Sequence, residues 1–166
     1  MTKTKSVPEV DEVFKLTMDA DKIDPAYGLG KDWQFIGPQL RGIQTIKAKL
    51  IQELGQDFDE IKQEVAKQGY RLLEGQWAET FRQKFPNVKT NQSHIMFGGS
   101  EWLSNLKRRQ IAYLQADLSV DNRLLASRNR DWRLNIDDLP GHWCIYFMWS
   151  GETICDSWLW AVTKIK

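Results

Sequence analysis

The chain lacks long apolar runs. Nowhere does it approach the ~18 consecutive apolar residues of a membrane-spanning helix, and the opening Met1-Thr-Lys-Thr-Lys-Ser-Val-Pro8 holds no apolar stretch of signal-peptide length. Neither a membrane anchor nor a secretion leader is expected, and the sequence reads as cytoplasmic. Cysteine is scarce. Cys144 and Cys155 are the only two and do not form a CxxC pair, which argues against a disulfide framework and for thiols packed as small hydrophobes. An excess of either charge is missing as well: 23 Lys and Arg against 22 Asp and Glu leave a net charge of +1. No global field therefore calls for nucleic acid, and the composition carries no disorder signature. Internal repeats and low-complexity tracts are absent from the sequence.

Tryptophan is abundant, with eight in 166 residues, enough to furnish a core or an adhesive surface. From His142 to Val162 two β-rich runs flank Ser150-Gly151, a pattern that predicts a hairpin. In that register Trp149 pairs with Glu152, Phe147 with Ile154 and Trp143 with Trp158. Alternation then places Trp143, Ile145, Phe147, Trp149, Ile154, Trp158, Trp160 and Val162 on one face, the expected core wall. His142, Cys144 and Cys155 fall on the other.

The rest of the chain reads as largely helical. Residues 9–19 fit a short helix through Val10, Val13, Phe14 and Met18. Gly37-Pro38 opens a second, carried by Leu40, Ile43, Ile46, Leu50 and Leu54 at helical spacing until Gly55. Asp57-Phe-Asp-Glu60 is a capping signature for a third, running to about Gln68 with Phe58, Ile61 and Val65 inward and Gly69 ending it. Tyr70 to Glu74 suits extended chain, and Trp77, Phe81 and Phe85 mark a helix that Pro86 terminates. Ser93 to Phe97 and Trp132 to Ile136 are expected strands. Between them, a long helix over about 101–118 would bury Trp102, Leu103, Leu106, Tyr113, Leu114 and Leu118.

The expected fold class is α+β: N-terminal helices packed on a small C-terminal antiparallel sheet of three to four strands. At this length the prior is a single domain over residues 1–166, helical over about 9–85, with a helix plus the antiparallel sheet over about 93–165.

Several constellations bear on chemistry. The helical hairpin of residues 38–68 has the outline of a helix-turn-helix, but Asp57, Asp59, Glu60 and Glu64 would face phosphate with the wrong sign, so ordinary packing is favoured. A better candidate for binding protein or nucleic acid is the basic segment Lys107, Arg108, Arg109, Arg123, Arg128, Arg130, Trp132 and Arg133, opposed only by Asp117, Asp121 and Asp131. Its ordinary alternative is a solvated helix face and loop arginines paired with the acidic first quarter of the chain. Phe97-Gly-Gly-Ser100 matches no complete phosphate-binding fingerprint, and Glu101 would repel an anion there. His142, Cys144 and Cys155 lie too far apart on strands for tetrahedral zinc or a nucleophile–base pair. Asp156, on the core-facing side of the expected hairpin, needs a partner and is structural unless it lies in a pocket with a raised pKa.

No family signature, metal set or cofactor motif emerges, and no cofactor is expected. The leading expectation is a small soluble interaction module, an accessory or regulatory protein that binds another protein through exposed tryptophans and charge polarity. The alternatives are a single-stranded nucleic-acid or RNA-binding accessory protein using residues 107–133, and a small enzyme with an acid/base site near Asp156. An enzyme is the less favoured, no membrane partner is expected, and the sequence leaves the oligomeric state open.

Overall fold

Strands dominate the chain. The structure, a computed structural model, describes residues 6–24, 29–52, 55, 57–87, 94–117, 142–155 and 157–166. They form strands β1 (Phe14–Asp19), β2 (Gln34–Ile36) and β3 (Ile43–Gln52), helix α1 (Phe58–Lys67), strand β4 (Tyr70–Leu72) and helix α2 (Trp77–Lys84). Strands β5 (His94–Leu103), β6 (Arg109–Asp117), β7 (His142–Trp149) and β8 (Leu159–Lys164) follow. The eight strands make one mixed sheet, curled into a half-barrel, in the order β1-β3-β8-β5-β6-β7, with β2 added beside β5 and β4 beside β8. The expected helices on a small three- to four-stranded sheet are therefore corrected: this is a mainly β fold with two short helices, not α+β.

The helices fill the two faces of the curl. α2 touches β1 at one end of the sheet and β6 and β7 at the other, so the sheet wraps around it. Its buried Phe81 meets the rings of Phe14 at 5.6 Å, Phe85 at 5.0 Å, Phe97 at 6.0 Å and Trp143 at 6.3 Å. Leu16, Leu50, Ile95, Leu114 and Ala161 complete this inner core. α1 lies on the outer face, where Phe58, Ile61 and Val65 pack on Met96, Ile111, Trp160 and Val162. Its start is fixed as expected, since Asp57 accepts a hydrogen bond from the Glu60 amide at 2.9 Å, a cap worth about 1 kcal/mol. Gly69, at φ +79°, follows its last turn.

Three expected helices are strands. In β1 and β3 the alternation of a strand is present but competes with apolar residues at helical spacing, whereas in β6 Ile111 and Ala112 are buried on opposite faces. A strand covered on both sides loses the two-residue alternation and reads as a continuous apolar run. The helix expected over 101–118 is, as far as residue 117, the end of β5, a turn at Ser104–Arg108, and β6; Leu118 lies outside the described residues. Within the helix expected at 38–54, Ile43–Gln52 form β3, so the helical hairpin does not form; Leu54 lies outside the described residues. The helix at 9–19 is β1, with Phe14, Leu16 and Met18 inward.

The C-terminal hairpin is overturned as well. The turn forms, with the Glu152 amide donating to the Trp149 carbonyl at 3.0 Å, but the chain does not return along β7. β7 pairs with β6, while β8 crosses to lie between β3 and β5. Trp143 consequently belongs to the inner core and Trp160 to the outer one, not to a single wall. Gly98 and Gly99 stand inside β5, at a register shift between Phe97 and Trp102. A Cβ on Gly99 would lie 2.3 Å from the Leu72 carbonyl oxygen, so a side chain is excluded by close backbone approach.

Candidate binding face

Of the basic segment read from the sequence, the structure brings together Lys107, Arg108 and Arg109, at the tip between β5 and β6. Arg123, Arg128, Arg130, Trp132 and Arg133 lie outside the described residues. So does Asp156, and with it the proposed acid/base site. At the tip, Arg108 stacks over Trp149 at 5.0 Å and Arg109 pairs with Glu101 at 3.1 Å. The adjoining cleft, about 610 Å³, also holds Asp57, Asp59 and Lys62. Its charges nearly cancel, so the tip is a weaker attractor for anions than the sequence suggests.

A more strongly charged surface lies elsewhere on the outer face. The β1–β3 register sets Lys15 directly opposite Lys47, and the β4–β8 register sets Tyr70 opposite Lys164. β3 and β8 pair Ala48 with Thr163. Carried one step further, this brings Lys47 beside Lys164. The row Lys15, Lys47, Lys164, Tyr70 thus crosses four neighbouring strands, each ~4.8 Å from the next. Like charges directly opposed across a strand pair are destabilising, so the row is a local cost that packing does not require.

A cleft of about 680 Å³ opens beside this row, and its lining includes Lys47, Lys49, Arg71, Lys164 and Lys166 but no acidic side chain. Two of these cations have partners. Lys49 donates to Asp11 at 2.8 Å and lies 4.5 Å from the Tyr70 ring. The Asp11 hydrogen bond raises its pKa, opposed by partial burial, so it is charged throughout the physiological range. Arg71 pairs with the buried Glu74, whose other oxygen accepts from the Trp77 indole at 3.1 Å. Lys15, Lys47, Lys164 and Lys166 are exposed. Single-sequence periodicity missed this face because its members come from the first, third, fourth and last strands.

A second outer-face feature is a ladder of rings across β5, β6, β7 and the residue just before β8. Trp158, His94, Tyr113 and Tyr146 follow one another at 5.8, 6.0 and 5.8 Å between centroids, with interplanar angles of 25–33°. Burial lowers the His94 pKa, and burial, then the neighbouring Tyr146 and Glu152, raises that of Tyr113. Both rings are thus held neutral near pH 7. At these spacings the rings occupy one another's faces, a cross-strand packing device. Cys144 is half-buried and Cys155 exposed, its Sγ 3.2 Å from the Ser157 hydroxyl, and no group of three or more His, Cys, Asp or Glu able to hold a metal occurs among the described residues. No helix among them is long and apolar enough to cross a membrane.

Fold and surface together define a curled mixed-sheet protein with a basic outer face. No protein-family model matches the chain, and no curated protein or solved structure matches it.

Proposed function

We propose that this protein is a small macromolecular interaction module, an accessory or regulatory protein that binds another protein through the lysine-rich outer face of its sheet. The observation that carries this reading is the cross-strand row Lys15, Lys47 and Lys164 beside a cleft lined by five cations and no acidic side chain. A fold that keeps like charges opposed at a cost in stability gains attraction for an anionic partner in return. The reading moves the binding surface away from residues 107–133, where carboxylates offset the described cations.

The test is binding of fluorescent poly-glutamate to the full chain at low salt, with Lys47→Glu plus Lys164→Glu compared against Lys107→Glu plus Arg108→Glu. Loss of binding in the first pair alone supports the lysine face; loss in the second pair alone transfers binding to the tip. A second reading, single-stranded nucleic acid at the tip, is favoured by Arg108 over Trp149, which offers a cation and a ring together. It requires oligothymidylate binding that falls steeply with salt and is lost on Arg108→Ala.

A further inference from the structure

β3 outruns the strand beside it. β8 meets β3 over Gln52 to Ala48 and ends at Lys164, whereas β3 continues to Ile43 paired with β1. Three hydrogen bonds fix which way each β3 residue turns its backbone. The Gly42 carbonyl accepts from the Ala20 amide and the Leu50 carbonyl from the Asp11 amide, both at 2.8 Å and both on the β1 side. The Lys47 carbonyl accepts from the Thr163 hydroxyl at 2.7 Å, on the β8 side.

In an antiparallel ladder a residue's N–H and C=O point to the same neighbour, and successive residues point to opposite ones. Ile43 and Thr45, in phase with Lys47, therefore turn their N–H and C=O groups into the lane that β8 vacates. The chain beyond Lys164 does not refill it, because the Ile165 amide donates to the Gly69 carbonyl at 3.0 Å, on the β4 side. The lane opens beside the basic cleft, and Ile43 at its far end is 77% exposed.

We infer that this lane accepts an extended acidic segment of a partner protein as an added strand, an inference that rests on the lysine face being the binding surface. Backbone pairing with Ile43 and Thr45 supplies register, and alternate guest side chains share the outer face. A guest carboxylate falls beside Lys47 and Lys164, and a guest apolar residue falls beside Ile43. The edge chemistry favours polypeptide over nucleic acid, since the carbonyls of Ile43 and Thr45 need donors that a phosphodiester backbone does not carry. It disfavours a second copy of the same edge, because lysines facing lysines repel.

The experiment titrates the full chain with two short peptides of alternating glutamate and valine. One is unmodified and the other is N-methylated at alternate amides, so that it keeps the charge but cannot pair as a strand. Amide exchange is read by NMR. The expected result is about tenfold weaker binding of the methylated peptide, with slowed exchange at Ile43 and Thr45 on adding the unmodified one. Thr45→Pro, which removes an N–H from the open side of the edge and leaves the β1 ladder intact, should weaken only the unmodified peptide.

Equal affinities without protection overturn strand addition. If that binding is still lost in Lys47→Glu plus Lys164→Glu, the lysine-face reading survives; if it is unaffected by that pair, both fail. Absence of peptide binding alongside oligothymidylate binding lost in the same pair overturns the inference in favour of nucleic acid. A concentration-dependent dimer that the peptide does not dissociate and that slows exchange at Ile43 and Thr45 overturns it in favour of a second copy.

Discussion

Reversing the charge of Lys47 should stabilise this protein and impair its binding. Lys47 stands between Lys15, its cross-strand partner, and Lys164, one register step beyond the last β3–β8 pair. Each opposed like pair costs roughly 0.2–1 kcal/mol, and the low end applies because all three side chains are exposed and solvent-screened. Lys47→Glu converts two such repulsions into attractions, a gain on the order of 1 kcal/mol, which for a chain of this size raises Tm by about 2–4 °C. Calorimetry at low ionic strength should show that rise. In about 1 M salt, where the Debye length falls to ~3 Å, it should vanish. The double variant Lys15→Glu plus Lys47→Glu restores a like pair, so it should be less stable than Lys47→Glu alone, a failure of additivity that isolates the contact. A Tm that falls at low salt, a gain that persists in high salt, or additive gains in the double variant would refute the placement of these lysines in one row.

Other consequences follow from the two cores and the ring ladder. Phe81→Ala should cost about 3–5 kcal/mol in urea denaturation, because a fully buried ring contacting four others is lost; a cost under about 1 kcal/mol would mean that α2 does not sit inside the curl. Gly99→Ala should destabilise by about 1–3 kcal/mol through overpacking, since its Cβ would meet the backbone of Leu72 and Leu73, which cannot rotate aside. Burial holds the His94 imidazole neutral, with a pKa below the ordinary 6.5. As pH falls below that value the unfolded chain takes up the proton first, so stability is full above it and declines until the folded-state pKa is passed. Denaturation midpoints should show that decline between pH 7 and pH 5 in the native chain, and His94→Phe should flatten it.

The elements legible in the sequence are those whose signal is local. α1 was marked by its Asp57 cap and by Phe58, Ile61 and Val65, and α2 by Trp77 and Phe81 with Pro86 beyond; both form within a residue or two of where the pattern puts them. The short strand at Tyr70–Leu72 and the start of β5 are also readable. β1 carried two conflicting signals. Phe14, Leu16 and Met18 alternate as a strand should, while Val10, Phe14 and Met18 sit four apart as on a helix. The strand prevails because β3 is there to pair with it, a long-range fact that no window of ten residues contains. The hairpin failed in the same way: a good local turn at Ser150-Gly151 does not decide which strand the outgoing chain will meet.

The lysine face shows how a wrong period conceals a site. Read as a helix, the stretch Ile43–Gln52 puts Ile43, Ile46 and Leu50 on one side and scatters Thr45, Lys47 and Lys49 around the rest. Read as a strand, the same residues separate cleanly, with Ile46, Ala48 and Leu50 inward and Thr45, Lys47 and Lys49 outward. Ile43, which the helical reading buries, is then one of the most exposed apolar residues of the described chain. Only the strand assignment places Lys47 between Lys15 and Lys164, residues from the two ends of the sequence, and only then does a chain of net charge +1 show a concentrated positive surface. Near-neutral composition constrains the average field and not its distribution. A net charge near zero therefore does not exclude an anionic partner for a sheet whose strands collect like charges from distant segments.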